Sequence, residues 1–248
     1  MDFFTIFFPQ DIEKSIESGN VRGVIRALRS PDPAVQKKAA AALADLAPHE
    51  AIRPLLNTLE SPDRDVRRLS AMALGNIGDR TASSGLLTAF FDVDPRVRLE
   101  VAEALGKIRD PTAVDTLVHG LDDDNADVRM NTIWALGQMN DKNVIPYILP
   151  LLTSVDQGTR SRTAEALENL DGVPVNPPDK AYYCIAKNKW NEIPQLGDAA
   201  ILPLVQAIND NYYLIRMQAT RTLGKFKGPV VVDALRKALF DEEECVSI

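Results

Sequence analysis

DVRRLSAMALGNIGD fills residues 65–79, RVRLEVAEALGKIRD fills residues 96–110, and DVRMNTIWALGQMND fills residues 127–141. The phrase returns every 31 residues, and the rest of the chain falls into register with it. One column reads Leu43, Leu74, Leu105, Leu136, Leu167 and, after an interruption, Leu223. A second reads Ala42, Ala73, Ala104, Ala135, Ala166 and Thr222. A third reads Leu28, Leu59, Phe90, Leu121, Leu152 and Ile208, and a fourth Val35, Val66, Val97, Val128, Thr159 and Ile215. Six units sharing four apolar columns mark a repeat architecture.

Each unit has two helical halves. In AIRPLLNTLE the apolar residues Ile52, Leu55, Leu56 and Leu59 fall at the spacing of one helix face, and in the next half Val66, Ser70, Ala73, Leu74 and Ile77 do the same. Between the halves Asp32, Asp63, Asp94 and Asp156 share one register position, where an aspartate accepts the free amides of a helix start. Pro33 and Pro95 follow at the first helical position, where a missing N–H costs nothing. Neither helix of such a pair buries its stripe without a neighbouring pair, so the phrase recurs because it is a stacking surface.

The composition agrees. Of 248 residues 45% are hydrophobic and 6% aromatic, a soluble helical balance, and the formal net charge of −7 argues against whole-molecule attraction to nucleic acid. Cys184 and Cys245 form neither a disulfide framework nor a zinc spacing, and are expected as free thiols in a reducing cytoplasm. The apolar start MDFFTIFFPQ has no basic region and stops at Pro9, too short for a signal core or a span. Phe3, Phe4, Phe7 and Phe8 are expected to cover the open end of the first repeat.

SPDRDVRRLSAMALGNIGD and VDPRVRLEVAEALGKIRD, with their turn Asp, Val-Arg pair, Ala-Leu-Gly and closing Asp, resemble HEAT repeats of the short type first described in phycobilisome bilin lyases. The resemblance covers about residues 20–173 and 200–240. It implies an all-α, right-handed α-solenoid of the armadillo-like kind, and a family of scaffolds, bilin lyases and their chaperone-like relatives, a di-iron hydroxylase and some DNA glycosylases. The hydroxylase needs several His-Glu pairs, whereas this chain has two histidines, His49 and His119. A glycosylase needs a strongly basic face and a pocket for a flipped base. No nucleophile–base set and no phosphate loop are legible, so no catalytic, cofactor or metal residues are assigned.

The expected organisation is a lead-in at residues 1–19, five repeats over 20–173, a divergent half-unit at 174–199, and a sixth repeat with a capping helix over 200–248. Pro174, Pro177 and Pro178 stop the fifth unit, and IAKNKWNEIP then repeats the pattern of IESGNVRGVI. Tyr182, Tyr183 and Trp190 are expected to fill the irregular joint.

The second-helix windows carry a net +8 although the whole chain carries −7. Arg67, Arg98, Arg129, Arg160 and Arg216 share one position and are read as an internal ladder with the turn aspartates. Lys37, Lys38, Arg68, Arg162, Arg221, Lys225 and Lys227 then remain free to attract an acidic protein surface. In the implied solenoid the second helices line the concave side. Their outward stripe contains Arg68, Met72, Leu99, Met130, Ile133, Trp134, Met217 and Arg221, taken as the partner-binding residues. Crowding of the inner helices leaves open that Met130 and Trp134 bury one another. The expected function is a non-catalytic, monomeric scaffold for a protein segment of acidic character. A lyase or chaperone for a tetrapyrrole stands second, and a nucleic-acid module third.

Overall fold

The structure, a computed structural model, describes residues 9–243 and Val246, so the expectations placed on Phe3, Phe4, Phe7, Phe8 and Cys245 lie outside the described residues. Among the described residues all regular structure is helical. The chain divides into two units after Asp141.

The first unit contains α1 (Pro9–Glu17), α2 (Val21–Ala27), α3 (Pro33–Leu46), α4 (Ile52–Thr58), α5 (Arg64–Ile77), α6 (Ser83–Ala89), α7 (Pro95–Ile108), α8 (Val114–His119) and α9 (Ala126–Gln138). The second contains α10 (Ile145–Ile148), α11 (Gln157–Asn169), α12 (Pro177–Ala186), α13 (Ile201–Ala207), α14 (Tyr213–Leu223) and α15 (Pro229–Ala238). Within each unit, short first helices alternate with longer second helices as stacked pairs. This is the all-α, solenoid-type architecture that the periodicity predicts.

The punctuation of the repeat has a local physical cause. Asp32, Asp63, Asp94 and Asp156 each accept backbone amides at the start of a second helix, and Asn125 does so for α9. At the other end Ala47, Gly78, Arg109, Asn140 and Asp171 recur at one register position, all with positive φ. There the chain leaves the helix through the left-handed region, which glycine adopts freely and the others do not. Asp79 and Asp110 follow directly and accept the amides of Thr81 and Thr112, starting the next first helix.

The four columns form the core. Leu43, Leu74, Leu105, Leu136, Leu167 and Leu223 are completely buried, and the alanine and valine columns are buried beside them. In the third column Leu121 alone is half-buried.

In the second unit α12 interrupts the stack. Asn176 caps it, with Pro177 and Pro178 in its first turn. Tyr183 is buried, its hydroxyl donates to Glu168 at 2.6 Å, and Lys187 pairs with the same carboxylate at 3.0 Å. Lys180 and Lys189 lie over the ring, 4.7 and 5.0 Å from its centroid. Tyr182 donates to Gln206 at 2.6 Å and Trp190 is half-buried, so these aromatics belong to the joint, as expected.

The helix expected as a C-terminal cap is more than that. Val232 and Leu235 of α15, and Leu239 at its C-cap, stand 31 residues beyond Ile201 and Leu204 of α13 and Ile208 at its C-cap, so α15 is in register as the first helix of a seventh pair.

Candidate protein-binding face

The second helices α5, α7 and α9 set the geometry of this face. A methyl group built on Gly75 would come within 2.7 Å of Ala104 Cα, and one built on Gly106 within 2.8 Å of Ala135 Cα. Glycine at this column therefore allows backbone-to-backbone approach of successive second helices. The same imaginary methyl on Gly106 would lie 2.8 Å from Trp134 Cζ3, so the indole rests against that approach.

The expected binding stripe divides accordingly. Met72, Leu99, Met130 and Trp134 are half-buried, occupying two register columns on three successive helices. They are partly covered yet present apolar surface. Ile133 does not join them. It is 1% exposed and shares a column with Ala40, Ala71, Ala102 and Ala164, all buried. That column faces the neighbouring pair, and Ile133 is the one large residue among alanines, a core residue. Met217, half-buried, and Arg221, exposed, lie on α14 in the second unit.

The charges are less free than expected. Arg68 Nη1 reaches Glu100 Oε2 at 3.4 Å, Lys37 meets Asp63 at 3.3 Å, Lys38 meets Glu13 at 2.5 Å, and Arg162 meets Glu165 at 3.2 Å. Glu100 is buried beneath Arg68. Burial, with Glu103 nearby, pushes its carboxyl above the usual range despite Arg68. Arg221, Lys225 and Lys227 alone of the seven have no ionic partner among the described residues.

The arginine ladder exists, with a different set of partners. Arg67 grips Asp92 through Nε and Nη2 at 2.6 and 2.8 Å, Arg98 grips Asp123 at 2.7 and 2.8 Å, and Arg216 grips Asp241 at 2.7 and 2.9 Å. Each third donor, Nη1, binds a carbonyl of its own turn, as Arg67 does to Ser61 at 2.8 Å. The partner aspartates stand two residues before the helix-capping position of the next turn, so capping and pairing use separate acids. At the interruption the ladder is looser. Arg160 Nη2 is 2.6 Å from Asp210, but its buried Nε has no partner among the described residues. A cavity of about 460 Å³ opens beside them, lined by Leu152, Tyr182, Ile185 and Gln206 among others.

Other surface features were not legible in the stripe. Phe91 is 67% exposed and Val93 90%, both at the turn between α6 and α7. No group of three or more potential metal ligands occurs among the described residues. No described helix is long and apolar enough to cross a membrane.

HEAT-repeat models match residues 21–92, 52–130 and 83–168, and the PBS lyase HEAT-like repeat matches residues 215–241. Those spans take in more than half of the chain, which belongs to the HEAT-repeat family. No curated protein matches the sequence. Among solved structures, the complex of CpcE and CpcF of phycocyanin lyase from Nostoc sp. PCC7120 is similar with a TM-score of 0.59 at 20% identity, over 95% of this chain and 97% of that one. A designed armadillo repeat protein in complex with the peptide (KR)4 gives a TM-score of 0.52 at 21% identity, over 64% of this chain and 85% of that one. At these identities the likeness concerns the fold.

Proposed function

We propose that the chain is a non-catalytic scaffold and that the second-helix face of its first unit binds a protein segment. The observation that carries this reading is the row of Met72, Leu99, Met130 and Trp134, half-buried at equivalent positions of α5, α7 and α9. Methionine and tryptophan offer adaptable apolar contact, and half-buried Arg68 over Glu100 gives the row a polar landmark. Because Lys37, Lys38 and Arg68 are paired internally, this face selects an apolar segment more than an acidic one. Solenoids of related fold occur in complexes with a protein and with a peptide, which supports the reading.

The test is affinity capture from an extract of the source cells with the chain and with its Met72→Ser, Met130→Ser double variant. One dominant protein, retained by the chain and lost by a variant whose melting point moves by only about 2–4 °C, is the expected result. An unchanged set of retained proteins overturns the proposal. The second reading, a tetrapyrrole handler, draws on the likeness to the phycocyanin lyase complex, and it requires visible absorbance in the retained material.

A further inference from the structure

The interruption after the fifth repeat leaves the arginine ladder unmatched in both directions. Along the regular ladder the acid stands 25 residues beyond its arginine, as Asp92 does from Arg67 and Asp241 from Arg216. Counting 25 residues forward from Arg160, or 25 back from Asp210, arrives at Ile185 of α12. Arg160 has thus lost its acid and Asp210 its arginine, both to the same apolar residue. The two remainders meet, but not as a regular rung. Nη2 of Arg160 is 2.6 Å from Asp210 Oδ2, near enough for an ion pair. Yet neither Nη2 nor Nε has an aligned hydrogen-bond acceptor among the described residues.

In the regular rungs this edge of the guanidinium holds both oxygens of Asp92, Asp123 or Asp241. Here it lines the cavity of about 460 Å³, together with Leu152, Ile185, Pro203 and Ala207. Arg160 is only 5% exposed, and donors buried to this degree are nearly always met by an acceptor. Smaller clefts, about 340 and 410 Å³, lie at Arg98 and Arg216, but there the aspartate occupies the edge. Arg129, with Ser154 at its acid position, is half-buried, so solvent reaches it. Arg160 alone combines a lost acid, deep burial and a cavity.

The chemistry of an occupant follows from the charges. Arg160 and Asp210 are the ionised residues of the cavity wall, and they neutralise one another. A further carboxylate would stand beside Asp210 and be repelled, so the guanidinium edge calls for an acceptor without charge. A carbonyl oxygen has two lone pairs, enough for Nε–H and Nη2–H together. We propose that this cavity binds an uncharged small molecule through a carbonyl oxygen seated on Nε and Nη2 of Arg160, with an apolar body against Leu152, Ile185, Pro203 and Ala207. The volume lies in the range of small-molecule sites. The site belongs wholly to the second unit and is independent of the face proposed for the first.

The probe is acetophenone, a planar ketone with an apolar ring. α-Methylstyrene has the same shape with a methylene in place of the oxygen, and benzoate carries a charge in its place. The full chain, labelled at its isoleucine and leucine methyls, is titrated with each compound and followed by NMR. Acetophenone should shift the Ile185 and Leu152 signals saturably and bind about tenfold more tightly than either control. The double variant Arg160→Met, Asp210→Asn should bind ketone and hydrocarbon alike. Its asparagine keeps the Oδ1 that accepts the Tyr212 amide at 2.9 Å. Should that variant fail to fold, the three compounds on the unaltered chain decide the matter without it. No saturable shift, as for a cavity that holds water alone, overturns the proposal. Equal affinity for ketone and hydrocarbon, or tighter binding of benzoate, does so as well.

Discussion

At the scale of single residues, the end of each second helix shows how little the repeat requires and what deviation costs. Five residues at one register position have positive φ, which Gly78 adopts freely, Asn140 and Asp171 tolerate, and Ala47 and Arg109 adopt at a cost. Holding a residue with a Cβ there costs roughly 1–2 kcal/mol, part of which glycine gives back as chain entropy. Ala47→Gly should therefore stabilise the chain by about 0.5–1 kcal/mol, read from the midpoint of urea unfolding. Glu100 is a second case. Its carboxyl is raised by burial, so the folded state binds its proton more tightly than the unfolded state does. Its ionisation therefore lowers stability as pH rises through the carboxylate range. Glu100→Gln should raise the melting temperature at pH 7, and the gain should shrink as the solution is acidified below the usual carboxylate range. A constant gain at all pH values would show that packing, not charge, is responsible.

At the scale of helices, the ladder joins α5, α7, α11 and α14 to a following turn, while Arg129 of α9 bonds only carbonyls of its own turn, and the ladder titrates in the opposite sense. Burial opposes ionisation of Asp92, but the hydrogen bonds from Arg67 and from the Asp94 amide outweigh it and hold the carboxyl low. The stability this contributes is present above the ordinary carboxylate range and is lost as pH falls through the lowered value. Asp92→Ala, which leaves a mostly covered guanidinium with carbonyls alone, should cost about 2–4 kcal/mol at pH 7 in denaturant titrations. Repetition made this level legible. The caps, the alanine, leucine and valine columns and the second-helix periodicity are all readable, since each recurs in several units. Whatever depends on the next unit was harder to see. The helical wheel puts Ile133 and Met130 on one side, but burial by the neighbouring helix separates them. Glu100 and Arg68 look like solvated charges until their side chains meet at 3.4 Å across a repeat boundary. The ladder was anticipated with the wrong aspartates, because the turn of Asp92 and Asp94 offers two acids and sequence does not show which one faces the arginine.

At the scale of the whole molecule, the proposed binding row, two register columns wide, is extended by adding pairs, and the ladder decides which additions fit. Arg67 meets Asp92 and Arg98 meets Asp123, always one turn ahead. Removing residues 80–110, one full period, would bring Arg67 to Asp123 and Gly75 to Ala135, each a pairing of the same kind as the one it replaces. The shortened chain should unfold cooperatively with its helicity per residue unchanged, measured by circular dichroism. A deletion of 28 or 34 residues around the same centre should not, since it would put Gly120 or Ala126 instead of Asp123 at the position that meets Arg67. Between α3 and α9 the length of the stack is in this sense quantised. The apolar row proposed as a binding face can lengthen or shorten there only in steps of one helix pair, like a chain that gains or loses whole links without altering any link.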